Sequence, residues 1–113
     1  MSFEKEVKKS FDFLFQKYNF KISSDNLDEE MRDYVVLASG RGLKLRFIQD
    51  RADFFLDVSS DTTPEKWVSF YEVLGQLKDK GLISDNYKVS NKMNHVKSFL
   101  KDYFQVIVEN KSL

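Results

Sequence analysis

The sequence predicts an α+β fold in which a three-stranded antiparallel meander packs against helices, in the order α-β-β-β-α-α. Within residues 31–59, apolar residues occupy every second position of three short stretches, which two short turns separate. On either side of it, apolar residues recur at helical spacing. With 113 residues and no long linker, we expect residues 1–113 to form a single domain.

The first predicted element is an amphipathic helix. Ser2 suits the capping position at its start, and Asn19 suits a left-handed backbone conformation at its end. An aromatic stripe at helical spacing is typical of a helix that covers a sheet. The stripe consists of Phe3, Val7, Phe11, Leu14, Phe15 and Tyr18.

The register of the meander follows from the requirement that paired strands place apolar residues on one face. A two-residue turn at Gly40-Arg41 and a four-residue loop from Gln49 to Ala52 satisfy this requirement. The pairs are then Ala38 with Leu43, Val36 with Leu45 and Tyr34 with Phe47 in the first hairpin, and Phe47 with Phe54, Leu45 with Leu56 and Leu43 with Val58 in the second.

The opposite face of the meander is mixed in character. In these registers Lys44 lies opposite Asp57 as an ion pair, and Arg46 lies opposite Phe55, so that the guanidinium covers the ring. Pairs of this kind are usual on a solvated sheet face. The alternative is that this face binds a partner. A helix of the same chain, or a second copy of the chain in a homo-oligomer, is a further candidate to cover the face.

Two helices are predicted after the meander. Thr63-Pro64 supplies a cap followed by proline at the first helical position, Gly81 ends that helix, and Ser90 caps the next. Gly75 lies inside the first of them and indicates either close packing or a weak point. The apolar stripes are Trp67, Phe70, Tyr71, Leu74 and Leu77, and then Val96, Phe99, Leu100, Tyr103 and Ile107.

Composition argues against several classes of function. No stretch of about 18 apolar residues exists, and the N-terminal residues lack the apolar core of a signal peptide, so we expect no membrane association. The absence of cysteine is consistent with a reducing compartment, and we expect a cytoplasmic protein. The 18 basic and 18 acidic residues cancel, which argues against nucleic acid as a partner.

The sequence contains no recognisable catalytic or metal-binding motif. His95 is the only histidine, and no acid or nucleophile accompanies it at a known spacing. The acidic run from Asp25 to Asp33 lacks the glycine of an EF-hand loop. Gly40-Arg41-Gly42 precedes a strand rather than a helix, which indicates a turn and not a phosphate-binding loop. We therefore expect no enzymatic activity, no metal and no cofactor.

Charge is nevertheless distributed unevenly along the chain. All four arginines lie within or beside the meander, and an acidic run precedes it. Arginine makes bidentate, partly desolvated contacts, so its concentration here indicates a binding surface. The candidate partner-binding residues are Asp25, Asp28, Glu29, Glu30 and Asp33 in the acidic run, and Arg41, Lys44, Arg46, Phe55 and Asp57 in the meander.

Three segments together show a likeness to known proteins. They are the aromatic helix that ends in Tyr18-Asn19-Phe20, the meander with Tyr34-Val35-Val36, and the helical pair that starts near Thr63-Pro64. In order and size these elements resemble small bacterial immunity proteins. The resemblance implies a non-enzymatic protein that binds a toxin domain and neutralises it, and such binding commonly uses complementary charge.

Two alternatives stay open. In a nucleic-acid-binding domain, Arg41, Lys44, Arg46 and Arg51 would meet phosphates while Phe55 stacks on a base. In an enzyme or small-molecule binder, an apolar pocket would lie between the sheet and the helices.

We expect Leu45→Asp or Leu56→Asp to unfold the domain. Either change places an unpaired carboxylate in the predicted core, at a cost of several kcal/mol against a total stability of about 5–15 kcal/mol. Circular dichroism and chemical denaturation measure the effect. A fully folded variant would show that the assigned face of the meander is wrong.

Overall fold

Five antiparallel strands form one sheet in the computed structural model, which describes residues 2–23, 33–61, 63–84 and 87–110. Each strand pairs with the next along the chain. The α+β class with an antiparallel sheet is thus confirmed. The three strands of the predicted meander form the centre of the sheet, and a further strand on each side of them makes the strand number and the order differ from the predicted α-β-β-β-α-α. The elements are α1 (Phe3–Ser10), α2 (Asp12–Gln16), β1 (Lys21–Ser23), β2 (Val35–Gly40), β3 (Leu43–Asp50), β4 (Asp53–Ser60), β5 (Thr63–Ser69), α3 (Phe70–Asp79) and α4 (Met93–Glu109).

The predicted first helix is divided in two, and an edge strand follows it. The hydroxyl of Ser2 accepts a hydrogen bond from the backbone N–H of Lys5, at 3.3 Å, so the predicted cap is confirmed. Helical geometry breaks at Phe11, which is fully buried with its ring centroid 4.9 Å from that of Phe47. Asn19 has the expected left-handed conformation, with φ of 59°. The chain then turns into β1, where Ile22 pairs with Ala38.

The segment after β4 is a strand and not the helix predicted from Thr63-Pro64. In β5, Val68 lies opposite Val58 and Ser69 opposite Asp57. The helix α3 begins only at Phe70, where the Ser69 hydroxyl accepts a hydrogen bond from the N–H of Glu72. Pairing with β5 satisfies backbone groups along the edge of β4 that a helix would leave unpaired, and this outweighs the local helix signal.

Both predicted hairpin registers pair the wrong residues but place the side chains on the correct face of the sheet. The first turn is Arg41-Gly42, so Gly40 pairs with Leu43. Arg41 and Gly42 have φ of 54° and 76°, as a type I′ turn requires at its two central positions. The second loop is the two-residue turn 51–52, and Asp50 pairs with Asp53. Each partner moves by two positions, so every side chain keeps its face. The observed pairs are Ala38 with Leu45, Val36 with Phe47, Phe47 with Leu56, and Leu45 with Val58.

The core lies between the sheet and the helices, on one side of the sheet. Tyr34 was predicted to belong to it but is 55% exposed, because it lies in the turn that precedes β2, at the end of the sheet. Leu45 and Leu56 are 1% and 3% exposed. The largest fully buried side chains come from both layers and include Phe11, Leu14, Phe47, Phe54, Phe70, Leu74, Leu77, Leu100 and Phe104.

Ser90, the predicted N-cap residue, lies two residues before the observed N-cap position of α4. The N-cap residue of α4 is Lys92, which makes no side-chain capping bond. The Ser90 hydroxyl instead accepts a hydrogen bond from the backbone N–H of Lys92, at 3.3 Å. Ser90 therefore organises the approach to the helix, because its short polar side chain bonds readily to a backbone group two residues on.

We expect Gly75→Ala to stabilise the protein and Gly40→Ala to destabilise it. Alanine is favoured over glycine inside a helix by about 0.5–1 kcal/mol, and a Cβ at Gly75 would lie 3.6 Å from the Tyr87 hydroxyl, an ordinary contact. A Cβ at Gly40 would lie 2.6 Å from Cδ1 of the buried Phe20 ring. That ring packs against Phe104, so the overpacking should cost about 1–3 kcal/mol.

Chemical denaturation of the wild type and both variants measures these changes. The two substitutions add the same methyl group and thus serve as controls for each other. Equal stability of the two variants would contradict the packing of Phe20 against β2.

Candidate interaction surface

Among the described residues, no helix covers the side of the sheet that faces away from the core. We call it the open face and define it by the strand side chains that alternate with the buried ones. Phe55 is 37% exposed, and most of the other members are half-buried, so apolar and aromatic surface remains accessible to a partner. The open face consists of Val35, Leu37, Ser39, Lys44, Arg46, Ile48, Phe55, Asp57 and Trp67.

Three residues from three neighbouring strands form a cluster at the centre of the open face. Nε and Nη2 of Arg46 donate hydrogen bonds to Oδ2 of Asp57, at 3.1 and 2.7 Å. The guanidinium carbon of Arg46 also lies 4.4 Å from the centroid of the Trp67 ring, which is cation–π geometry. The side chains of Arg46 and Asp57 are 33% and 21% exposed. Arg46 is therefore held from two sides in one orientation.

The cluster replaces both contacts predicted for this face. Lys44 lies opposite Ser59 rather than Asp57, and Phe55 lies opposite Ile48 rather than Arg46. The cause is the shift in register, which moves Arg46 to the position across from Asp57. Lys44 consequently has no ion pair among the residues that the structure describes.

Trp67 is the functional candidate that sequence reasoning missed, because its segment was assigned to a helix. A signal for the correct boundary was present. Ser69 followed by Glu72 is the serine-x-x-glutamate pattern of a helix N-terminus, which would start the helix at Phe70. Residues 66–69 would then extend the sheet and place Trp67 on it.

A cavity of about 170 Å³ opens on this face beside Trp67. Its lining residues are the apolar Leu37, Ala38, Leu45 and Trp67 and the polar Ser23, Ser39 and Lys44. The strands β1, β2, β3 and β5 all contribute, so the cavity depends on the correct pairing of the whole sheet.

Charge on the open face is divided between its two ends. Lys21 pairs with Ser39, and Ser39 pairs with Lys44, so both lysines lie in one row near the turn between β2 and β3. At the other end, Asp50 pairs with Asp53 beside the turn between β3 and β4. Asp33, exposed just before β2, lies at this same end. The strands are therefore basic at one end of the face and acidic at the other, while the adjoining turns carry the exposed Asp61 at the basic end and the exposed Arg51 at the acidic end.

The predicted site residues divide into four groups. Lys44, Arg46, Phe55 and Asp57 lie together on the open face. Arg41 does not join them, because its Nε donates to the carbonyl of Tyr18, at 3.4 Å, and its guanidinium carbon lies 5.6 Å from the Tyr18 ring. Asp33 lies at the acidic end of the face. Asp25, Asp28, Glu29 and Glu30 lie outside the described residues.

A second polar cluster lies at the start of α4, away from the open face. Nδ1 of His95 is 2.7 Å from the hydroxyl of Ser90, and the Tyr71 hydroxyl donates to the Ser90 carbonyl, at 2.9 Å. Burial raises the pKa of Tyr71, and the hydrogen bond to Ser90 offsets part of the rise. Among the described residues no carboxylate bonds to His95. The cluster fastens α4 to α3 and lacks the third member of a catalytic triad.

Other routes to a function were searched over the same described residues. No group of histidine, aspartate and glutamate there could hold a metal ion, and no helix in that part of the chain is long and apolar enough to cross a bilayer. No family model, curated protein sequence or solved structure matches the chain. The open face is the feature on which we base a function.

We expect Arg46 and Asp57 to stabilise the fold jointly by about 1 kcal/mol, since their ion pair is only partly exposed. A double-mutant cycle of Arg46→Ala and Asp57→Ala in urea measures this coupling. A matched cycle with Lys44→Ala and Asp57→Ala should give a coupling near zero. A larger coupling for Lys44 than for Arg46 would favour the register predicted from the sequence over the observed one.

Proposed function

We propose that this protein is a non-enzymatic protein-binding module and that the open face is its contact surface. The observation that carries the proposal is the one-sided architecture, in which the helices cover only one face of the sheet. The other face keeps Leu37, Ile48, Phe55 and Trp67 accessible around an oriented arginine. Tryptophan and arginine near the centre of a surface are typical of the residues that dominate binding energy.

The size of the open face suits a protein partner. A strand of eight residues is about 27 Å long, and five strands spaced about 4.8 Å apart span about 20 Å. The face therefore offers on the order of 500–600 Å², somewhat less than the roughly 800 Å² that each partner buries in a standard interface. Loops beside the face would supply the remainder.

The charge division favours a partner of complementary polarity. Acidic groups of the partner would lie near Lys21 and Lys44, and basic groups near Asp33, Asp50 and Asp53. Complementary charge of this kind accelerates association and selects one orientation. A net charge of zero is compatible with this, because selection depends on the local pattern.

We propose further that the partner is a toxin domain, which the protein binds in the bacterial cytoplasm and neutralises. The proposal rests on the resemblance of the sequence to small immunity proteins, in size and in its predicted helix, meander and closing helical pair. The structure has an opening helical segment, an antiparallel meander and two closing helices, and its sheet has two more strands than the resemblance assumed.

A nucleic-acid-binding role has less support from the same face. Asp57 neutralises Arg46, and the guanidinium of Arg46 already lies against Trp67. Arg46 therefore cannot contact a phosphate, and the covered face of Trp67 cannot stack on a base, unless the cluster rearranges. Asp53 and Asp57 would also repel a phosphate backbone. A metabolite site beneath the sheet is likewise unsupported, since the cavity between β4 and α3 is only about 50 Å³.

We expect a photo-crosslinking amino acid at Phe55 to capture one defined protein in the native host. The same group at Lys101, exposed on α4, should not capture it and serves as the matched control. With that protein purified, Phe55→Asp should weaken binding at least about tenfold, the effect of losing a hot-spot contact. Lys101→Asp should leave the affinity unchanged.

Growth of cells that express the captured protein tests the toxin assignment. Co-expression of the wild type should restore growth, and co-expression of Phe55→Asp should not. Equal affinity of Phe55→Asp and the wild type for the captured protein would remove the open face as the contact surface. Salt-dependent binding of single-stranded RNA that requires Lys44 would instead favour the nucleic-acid alternative.

A further inference from the structure

We infer that the cavity beside Trp67 is the specificity pocket of the open face, and that it takes an aromatic or branched aliphatic side chain flanked by a carboxylate. This inference rests on the proposed function, since it assigns the ligand to a protein partner. It adds the chemistry by which that partner would be recognised.

The size of the cavity selects a single side chain. Its volume of about 170 Å³ is close to the roughly 150 Å³ of an apolar cavity that holds one benzene molecule. One aromatic ring or one branched aliphatic group therefore fills it. Known sites for whole metabolites are larger, at about 300–1,000 Å³.

The apolar walls are arranged in advance of binding. Leu37 and Trp67 face the cavity from β2 and β5. The contact with Arg46 at 4.4 Å holds the indole ring, and Asp57 holds Arg46 in turn. A wall that is already ordered loses little conformational entropy when a side chain enters, so the contact retains more of its binding energy.

The polar rim requires an anionic group beside the apolar one. Arg46 is neutralised by Asp57, whereas Lys44 has no ion pair among the described residues. Lys21 lies in the same row, and among the residues that the structure describes no carboxylate side chain lines the cavity. The hydroxyls of Ser23 and Ser39 are donors of the kind that carboxylate oxygens accept. The local excess of positive charge and of donors matches a carboxylate.

We would test this with 3-phenylpropionate, which joins one aromatic ring to one carboxylate. Trp67 is the only tryptophan in the chain, so its fluorescence and its indole N–H resonance report on the cavity without interference. The probe should shift both signals saturably. The neutral 3-phenylpropanamide should bind about two- to fivefold more weakly, the effect of one exposed ion pair. Higher ionic strength should reduce this preference.

Three variants locate the site. Lys44→Gln should abolish the preference for the carboxylate over the amide while both compounds still bind. Lys9→Gln, at an exposed position on α1, should preserve the preference and serves as the matched control. Ser39→Phe should fill the cavity and prevent binding of either compound, and its circular dichroism spectrum should match that of the wild type.

The inference is overturned if 3-phenylpropionate leaves the Trp67 signals unchanged in the folded protein, or if a folded Ser39→Phe variant still binds it. Tighter binding of thymidine 5′-monophosphate than of 3-phenylpropionate would also overturn it, in favour of a nucleotide ligand. If the probe fails while Phe55→Asp still weakens binding of the captured protein, the pocket is wrong and the proposed function stands. If the captured protein binds elsewhere, both fall, because the inferred ligand is part of that protein.

Discussion

The turn at Arg41-Gly42 is the constraint on which the rest of the structure depends. A type I′ hairpin turn needs positive φ at both central positions, and Arg41 and Gly42 have it. This places Gly40 across from Leu43 and sets the pairing of β2 with β3. In the next hairpin, the side-chain amide of Gln49 donates to the carbonyls of Arg51 and Asp53 and braces the second turn. The two turns together determine which charged residues meet on the open face.

The central cluster of the open face is a consequence of that pairing and of the added strand β5. The register brings Arg46 to Asp57, and β5 brings Trp67 over the guanidinium. None of these residues is in the buried core, so the cluster contributes modestly to stability. Its larger effect is to keep two long side chains in fixed positions on an accessible surface. That is the property a binding surface needs, since ordering such side chains during association costs affinity.

The one-sided layering of the fold explains why this surface exists at all. Both helical segments that precede the sheet and both helices that follow it bury their apolar residues in one cluster against the same side of the strands. The opposite side keeps an incomplete apolar lining with charge of opposite sign at its two ends. A surface of this composition suits a partner that approaches in one orientation, and the cavity beside Trp67 gives that orientation a single anchoring point.

The alternation of side chains along the strands determined from sequence alone which residues face the core, because that alternation survives any shift by two positions. The cap at Ser2 and the left-handed backbone conformation of Asn19 could also be predicted from the sequence. The register, the strand β5 and the contact of Arg46 with Asp57 and Trp67 were decided only by the tertiary structure. The physical reason is that the alternation of side chains determines on which face of the sheet a residue lies, but not which residue of the next strand it pairs with. Partners depend on turn geometry and on the need of the β4 edge for hydrogen bonds, which outweighed the local helix signal at Thr63-Pro64.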